Sequence, residues 1–359
     1  MRFFAILLAL VCAPLANALT TFGVSNSSFQ AGLTPFCWYT SGSTYSRTIN
    51  TGAQLKLNFT GTSFVLNVDV SGITESNYPT IGWSVDGGPL STLDLNSSSS
   101  ALTLASGLSD TTHTITVTLY VMYFNPGSFG RWDGAQSLTV TGVSVDTGKT
   151  ISNATLPTGG VALFEGDSIT EGISIPGTLN NWTFALANYM GAICSQVGFS
   201  GQKYDIATTS IPKFGDTAPY LYSGVDRPSS PPPTYVFLNE GTNGEPTAGN
   251  VSDLLTATRA KYGATTYIFQ MVPFGQYNAS TIITGYNNYT AGAPSDSRAI
   301  LLDLGSAGAT IVATNSSDGV HPNATGCALL AELLWPLVQP YVGRAVTVTN
   351  LTVGTLIIQ

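Results

Sequence analysis

Near residue 150 the hydrophobic pattern changes period, and one layered sheet cannot accommodate both halves. From Thr20 to about Asp146 the chain alternates in steps of two. Leu55, Leu57 and Phe59 are separated by Lys56 and Asn58; Phe64, Leu66 and Val68 follow in phase, then Ile115, Val117 and Leu119, then Leu138 and Val140. Successive side chains on a strand point to opposite faces, so this alternation marks strands with one face buried. Turn-forming clusters separate them, among them Asp86-Gly87-Gly88-Pro89, the serines 97–100 and Asn125-Pro126-Gly127. Short strands at this spacing predict an all-β sandwich of jelly-roll type over residues 19–150.

The stretch from Thr147 to Gly160 is rich in Gly, Ser, Thr and Pro and reads as the connection, with the linker at 151–160. Beyond it, short apolar runs begin at Val161, Ile193, Tyr235, Thr266 and Ala299. Longer stretches with helical spacing lie over Trp182 to Met190, Val251 to Tyr262 and Cys327 to Val338. Apolar strands alternating with helices predict a parallel sheet covered on both faces, an α/β/α domain over 161–359. No internal repeat is present.

Only 9% of the residues are charged, against about 25% in an average domain, and the formal net charge is −8. With 12 basic residues against 20 acidic ones, the chain lacks the cations that nucleic-acid binding requires, and no apolar run reaches the roughly 20 residues of a membrane span. Neither nucleic acid nor membrane is therefore expected as a partner. Arg2, the apolar run from Phe3 to Leu15 and the small-x-small exit Ala16-Asn17-Ala18 read as a secretory signal peptide over residues 1–18. Secretion to the extracellular space is expected. Asn-x-Ser/Thr signals at Asn26, Asn58, Asn96, Asn153, Asn181, Asn250, Asn278, Asn288, Asn315, Asn323 and Asn350 agree with that route. The segment Leu351 to Gln359 lacks the pattern of a lipid-anchor signal. The mature chain keeps Cys37, Cys194 and Cys327; in an oxidising compartment one disulfide is expected, with Cys194 and Cys327, in the same half, as the pair. Two histidines and three scattered cysteines offer no metal-ligand cluster, and no cofactor motif is present.

In a parallel α/β sheet, ligands bind beyond the carboxyl ends of the strands. Those ends carry Gly166-Asp167-Ser168, Gly198-Phe199-Ser200-Gly201 and Glu240-Gly241-Thr242-Asn243-Gly244, and Asp318-Gly319-Val320-His321 precedes the last helix. A serine hydroxyl becomes a useful nucleophile only when a base takes its proton, and histidine is the commonest base. Of the two histidines, His113 sits within an alternating strand of the first half, which leaves His321. Asp318, three residues earlier, can face the second ring nitrogen and fix its tautomer; the alternative for Asp318-Gly319 is a simple turn. Acyl transfer also needs donors aimed at the developing oxyanion. The Ser168 and Gly201 amides and the Asn243 side chain are the candidates. Glu165, Glu171 and Glu240 lie close to these motifs, but paired carboxylates of the glycosidase kind explain fewer residues than the serine–histidine set.

The four motifs, in this order, resemble the SGNH hydrolases, an esterase superfamily whose nucleophile lies in a Gly-Asp-Ser motif. The resemblance covers about Val161 to Tyr341 and implies a flavodoxin-like α/β/α domain. It implies Ser168 as nucleophile, Asp318 and His321 as its triad partners, and Ser168, Gly201 and Asn243 as the oxyanion hole. The third motif of that family reads Gly-x-Asn-Asp, whereas Gly244 stands here in the Asp position, so altered loop support is expected. Preceded by a β-sandwich, the chain is similar to carbohydrate esterase family 2, which pairs a jelly roll with an SGNH domain. That resemblance implies a secreted esterase removing O-acetyl groups from plant polysaccharides or oligosaccharides, acetylxylan-type, with acetylated glycan as partner. A short-chain lipid or small-ester hydrolase, and a non-catalytic glycan-binding protein on an esterase fold, are the alternatives. Trp38, Trp132, Trp182 and Tyr204 are the aromatic residues considered for a sugar-facing cleft.

Overall fold

In the first half, alternation builds two antiparallel sheets. The computed structural model describes residues 18–73, 78–122, 131–208, 211–293 and 296–343. The expected signal peptide as far as Asn17, the Asn125-Pro126-Gly127 turn, the Asn350 signal and the segment Leu351 to Gln359 lie outside the described residues. The strands are β1 (Leu19–Gly23), β2 (Tyr39–Ser41), β3 (Tyr45–Thr48), β4 (Gln54–Gly61), β5 (Phe64–Val68), β6 (Thr80–Val85), β7 (Ser91–Asp94), β8 (Ala101–Ala105), β9 (Thr111–Val121), β10 (Leu138–Asp146) and β11 (Ile151–Asn153). One sheet runs β2-β3-β10-β5-β8, with β1 also on β10; the other runs β11-β4-β9-β6-β7. Leu55, Leu57 and Phe59 of the second sheet share a core with Phe64, Leu66, Val143 and Val145 of the first. Phe59 meets Phe64 across the layers at 5.1 Å between ring centres. A short helix, α1 (Ser27–Gly32), capped by the Asn26 side chain, interrupts the run of strands.

Three residues expected to be linker are strand instead. Ile151 pairs with Phe59 and Asn153 with Leu57 in antiparallel register. Ile151 is buried while Ser152 and Asn153 are exposed, so the sheet, though not its strict alternation, continues past residue 150 and covers an edge of β4.

The second half is a five-stranded parallel sheet of β12 (Val161–Gly166), β13 (Ile193–Gly198), β16 (Tyr235–Asn239), β17 (Tyr267–Met271) and β18 (Ala299–Leu302); a two-stranded ribbon, β14 (Tyr220–Tyr222) with β15 (Val225–Asp226), precedes β16. The sheet order is β13-β12-β16-β17-β18, so the chain reverses direction across the sheet between β13 and β16. Parallel sheets of this order bind ligands at that reversal. The helices are α2 (Ser168–Glu171), α3 (Trp182–Met190), α4 (Phe214–Thr217), α5 (Ala248–Tyr262), α6 (Ala279–Gly292), α7 (Gly305–Thr314) and α8 (Ala324–Val342). Phe164, Phe237 and Phe269 stand in register on neighbouring strands, and their rings stack at 4.7 and 4.6 Å. Trp182 of α3 closes on Phe164 edge-on at 5.3 Å. The alternate residues Leu163, Val236 and Ile268 fill the other face beside Val251 and Leu255 of α5.

The two halves share a buried, polar junction. Ser195 donates to the Pro35 carbonyl at 2.7 Å, and the fully buried Gln196 amide donates to Thr51 Oγ1 at 3.2 Å. Arg227, 2% exposed, donates to the carbonyls of Phe36 (2.7 Å) and Tyr220 (2.6 Å) and lies 3.4 Å from the Glu165 carboxylate. Burial pushes the Glu165 carboxyl up to about 7 while Arg227 pulls it down. The expected Cys194–Cys327 disulfide is not formed: both are free thiols, as is Cys37. Cys194 lies on edge strand β13, whereas Cys327, in the first turn of α8, donates to Asn181 Oδ1 at 3.6 Å. Desolvation pushes the Cys37 and Cys327 thiols up to about 12.

The Phe164–Phe237–Phe269 column predicts the most damaging core truncation. Phe237→Ala is expected to lower stability by about 3–5 kcal/mol, the usual range for such a cavity, read as a lower urea midpoint with unchanged slope.

Candidate active site

The nucleophile candidate is set by the sharp exit from β12. Gly166 ends that strand, and a Cβ there would stand 2.1 Å from the Asn239 carbonyl oxygen, so only glycine lets β12 and β16 approach this closely. Asp167 caps the next turn, its Oδ1 accepting the Ile169 amide at 3.0 Å. Ser168 opens α2 and is 5% exposed. Asn181, fully buried, holds the far end of that turn by donating to the Thr170 carbonyl at 2.7 Å.

His321 arrives from the loop before α8. Its Nε2 lies 2.8 Å from Ser168 Oγ, and its Nδ1 lies 2.6 Å from Asp318 Oδ2. The other Asp318 oxygen accepts the amides of Val320 (2.9 Å) and His321 (2.8 Å). The His321 side chain, with these two amides, holds the Asp318 carboxyl well below the usual carboxylate range. An ionised carboxylate only accepts, so Nδ1 carries the proton and, in the neutral ring, Nε2 is left to receive the serine hydroxyl. Ser316 Oγ accepts the Gly319 amide at 2.9 Å, and Tyr277 donates its hydroxyl to the Gly319 carbonyl at 3.2 Å, which brace the loop. His113 is elsewhere, on β9, paired with Asp86 at 2.6 Å.

The remaining candidates lie on the loops after β13 and β16. Gly201 has φ +75° and open space where a side chain would be. Among the described residues, neither its amide nor that of Ser168 has an acceptor within the protein. Asn243 is partly exposed and donates one amide proton to the Gln202 carbonyl at 3.1 Å, tying the two loops together. At Gly244 φ is +74°, and an added Cβ would meet Asp205 Oδ1 at 2.7 Å. Asp205 from the neighbouring loop thus stands where a side chain at position 244 would begin. Asn278 completes the support, donating to the carbonyls of Gly241 (2.9 Å) and Gly244 (3.1 Å).

Beneath Ser168 lie two carboxyls with no accessible surface, Asp167 and Glu240. Gly166 pairs with Asn239 in the parallel register, which places the next residue of each strand side by side. Burial pushes Asp167 up to about 6, against the pull of the Ile169 amide. Glu240 is raised well above its ordinary value by burial and by Asp167. Outside these motifs, the sequence did not mark Tyr277 or Asn278 as site residues; they hold loops by contacts that local patterns do not reveal. The aromatic residues considered for sugar contact are interior: Trp38, Trp132, Trp182 and Tyr204 are all at most 8% exposed.

Fold and site together define a serine–histidine–aspartate constellation at the reversal point of a parallel sheet, preceded by two antiparallel sheets. No family profile and no curated protein matches the chain. Among solved structures, a family two carbohydrate esterase from Cellvibrio japonicus is similar at a TM-score of 0.73 and 12% identity, covering 91% of this chain and 98% of that one. A family two carbohydrate esterase from Clostridium thermocellum, in complex with cellohexaose, gives 0.69 and 19%, covering 87% and 98%. An acetyl xylan esterase, Est2A, from Butyrivibrio proteoclasticus gives 0.68 and 13%, covering 90% and 99%. The resemblance read from the motifs therefore extends to the fold of nearly the whole chain.

Two expectations follow. A fluorophosphonate probe is expected to label Ser168 and to leave Ser168→Ala unlabelled, while Asp318→Asn slows labelling by about 10⁴-fold through the wrong tautomer; equal labelling of Asp318→Asn would contradict the orientation described. The signal at Asn181 is buried with both amide protons used, the second on Gln196 Oε1 at 2.9 Å. Glycopeptide mapping of folded protein expressed in a glycosylating host is expected to find no glycan there.

Proposed function

We propose that the protein is a secreted serine esterase that removes O-acetyl groups from plant cell-wall polysaccharides or oligosaccharides, of the acetylxylan type. The observation that carries the chemistry is the continuous hydrogen-bond chain from Ser168 Oγ through His321 to Asp318, at 2.8 and 2.6 Å. In this reading His321 takes the Ser168 proton as Oγ attacks the acetyl carbonyl, and Asp318 stabilises the resulting imidazolium. The Ser168 and Gly201 amides and Asn243 donate to the oxyanion of the tetrahedral intermediate. Collapse breaks the ester bond, His321 returns the proton to the leaving sugar hydroxyl, and acetyl-Ser168 remains. Water, deprotonated by His321, then releases acetate by the same steps in reverse.

The substrate class rests on the likeness to family two carbohydrate esterases, one of them in complex with cellohexaose. On that reading the N-terminal sheets form the jelly roll of a two-domain esterase. The second reading, hydrolysis of small or short-chain lipid esters, uses the same triad and differs in the leaving group.

Purified protein is to be offered p-nitrophenyl acetate, a long-chain p-nitrophenyl ester, acetylated xylan and deacetylated xylan, with Ser168→Ala as control. Acetate release from acetylated xylan, lost in the variant, is the expected result. Preference for the long chain would favour the lipid reading, and binding of deacetylated xylan with no turnover would leave a glycan-binding protein.

A further inference from the structure

Arg131 belongs to the first half of the chain, on the connection between β9 and β10, yet its guanidinium ends among residues of the second. It is 8% exposed. Nε donates to the Ile49 carbonyl at 2.9 Å, one terminal nitrogen to the Gly198 carbonyl at 2.6 Å, and the other pairs with the Glu171 carboxylate. Glu171 is the last residue of α2, the turn that Ser168 opens. Its second oxygen accepts both the amide (2.7 Å) and the hydroxyl (2.6 Å) of Ser200, the residue before Gly201. Phe199 is held between the same groups. The Arg131 guanidinium lies over its ring at 4.8 Å, Trp132 meets it edge-on at 5.6 Å, and its amide donates to the Gly166 carbonyl at 3.0 Å.

We propose that Arg131, through Glu171, is a positioning residue for the oxyanion hole: it locks the nucleophile turn and the Gly198–Gly201 loop into one rigid unit. The inference rests on the esterase reading of the site. Its physical basis is the planar fork of arginine, which alone among side chains can serve a carboxylate and two carbonyls in fixed directions at once. Burying such a pair adds little net stability compared with an apolar replacement, so its value lies in geometry. Oxyanion donors act only when they are aimed at the position the charged oxygen will occupy, and Gly201 has a free amide on a glycine that could otherwise rotate. The first half of the chain thereby supplies part of the second half's catalytic precision.

The test uses the full chain. Arg131→Met, Arg131→Lys and Ser200→Ala are compared with wild type for kcat and KM on p-nitrophenyl acetate. Affinity for a boronic acid, whose adduct with Ser168 imitates the tetrahedral intermediate, is measured alongside near-UV circular dichroism. Arg131→Met is expected to lower kcat about 100-fold, the loss typical of one missing oxyanion donor, with KM nearly unchanged and boronate affinity falling in parallel. Arg131→Lys, a single point charge, is expected to restore only a small part. Ser200→Ala keeps the ion pair and is expected to fold even if Arg131→Met does not; it should lower kcat roughly 10-fold, the low end for losing one hydrogen bond to a charged group. Wild-type kcat in folded Arg131→Met, or in Ser200→Ala where Arg131→Met does not fold, would overturn the inference while leaving the esterase reading intact. A wild-type protein that neither turns over esters nor forms the boronate adduct would remove both.

Discussion

The site depends on the way β12 is registered between its two parallel neighbours. Val161 to Gly166 pairs with Ile193 to Gly198 on one side, and Ala162 to Gly166 pairs with Tyr235 to Asn239 on the other. All three strands therefore end at one level, and their following loops must leave the sheet side by side. Gly166 makes this possible, because any side chain there would enter the Asn239 carbonyl. From that one close approach follow the turn at Ser168, the adjacency of Asp167 and Glu240, and the meeting of the Gly201 and Asn243 loops. His321 is the exception, since it comes from a loop that β12 does not place. Its loop is held independently, by Ser316, Tyr277 and the capping of α8 by Asn323.

A chain with so few charges places several of them where charge is hardest to keep. Glu165, Asp167, Glu171 and Glu240 occupy the end of β12, the turn beyond it and the end of β16, all at most 4% exposed. Two of them have arginine partners, Glu165 with Arg227 and Glu171 with Arg131, and both arginines join the two halves: Arg227 reaches the Phe36 carbonyl of the first half, and Arg131, itself of the first half, reaches Glu171 in the second. The other two have none, and burial pushes both carboxyls upward. Among the described residues, Asp167 Oδ2 and Glu240 Oε2 are buried without a hydrogen-bond partner. Two neighbouring carboxyls in such a place do not both ionise readily, since each charge disfavours the other. The floor of the site is thus less acidic than its composition suggests, which leaves Asp318 as the carboxylate charge facing His321.

Legibility in the sequence followed the range of the interactions. Alternation located β4, β5, β9 and β10, and apolar runs located the five parallel strands, because burial acts at every second or third residue. The helices α6 and α7 were harder to read, being rich in Ser, Thr, Gly, Asn and Ala. In α6 the buried face is only Ile282, Gly285 and Tyr289, and it packs on α5 with Gly285 close enough that a Cβ would stand 2.5 Å from Val251. The pair Asp318 and His321 was legible because His321 follows Asp318 by only three positions. Ser168 and His321 were legible only through chemistry, as a nucleophile needing the one available imidazole. The cysteines misled, because shared membership of one half says nothing about distance between an edge strand and a helix start. Arg131 had no local signature, since its carboxylate partner lies 40 residues further along.

The large aromatic residues of the first half carry the same point into the packing. Trp38 donates its indole nitrogen to the Gln54 carbonyl at 3.1 Å, and Trp132 presses edge-on against Phe199. Both were candidates for a sugar-stacking surface, and both are interior. An exposed indole offers a face to a sugar ring; a buried one offers rigidity to whatever it touches. Trp132 touches the loop that leads to Gly201, and Ser223 donates its amide to the Trp132 carbonyl at 3.0 Å, anchoring the same segment to the β14–β15 ribbon. The sheets of the first half therefore act on the site as a wall, through the Arg131-Trp132 segment that follows β9. Sugar recognition, on the esterase reading, then falls to the loops around Ser168, Asn243 and His321 themselves.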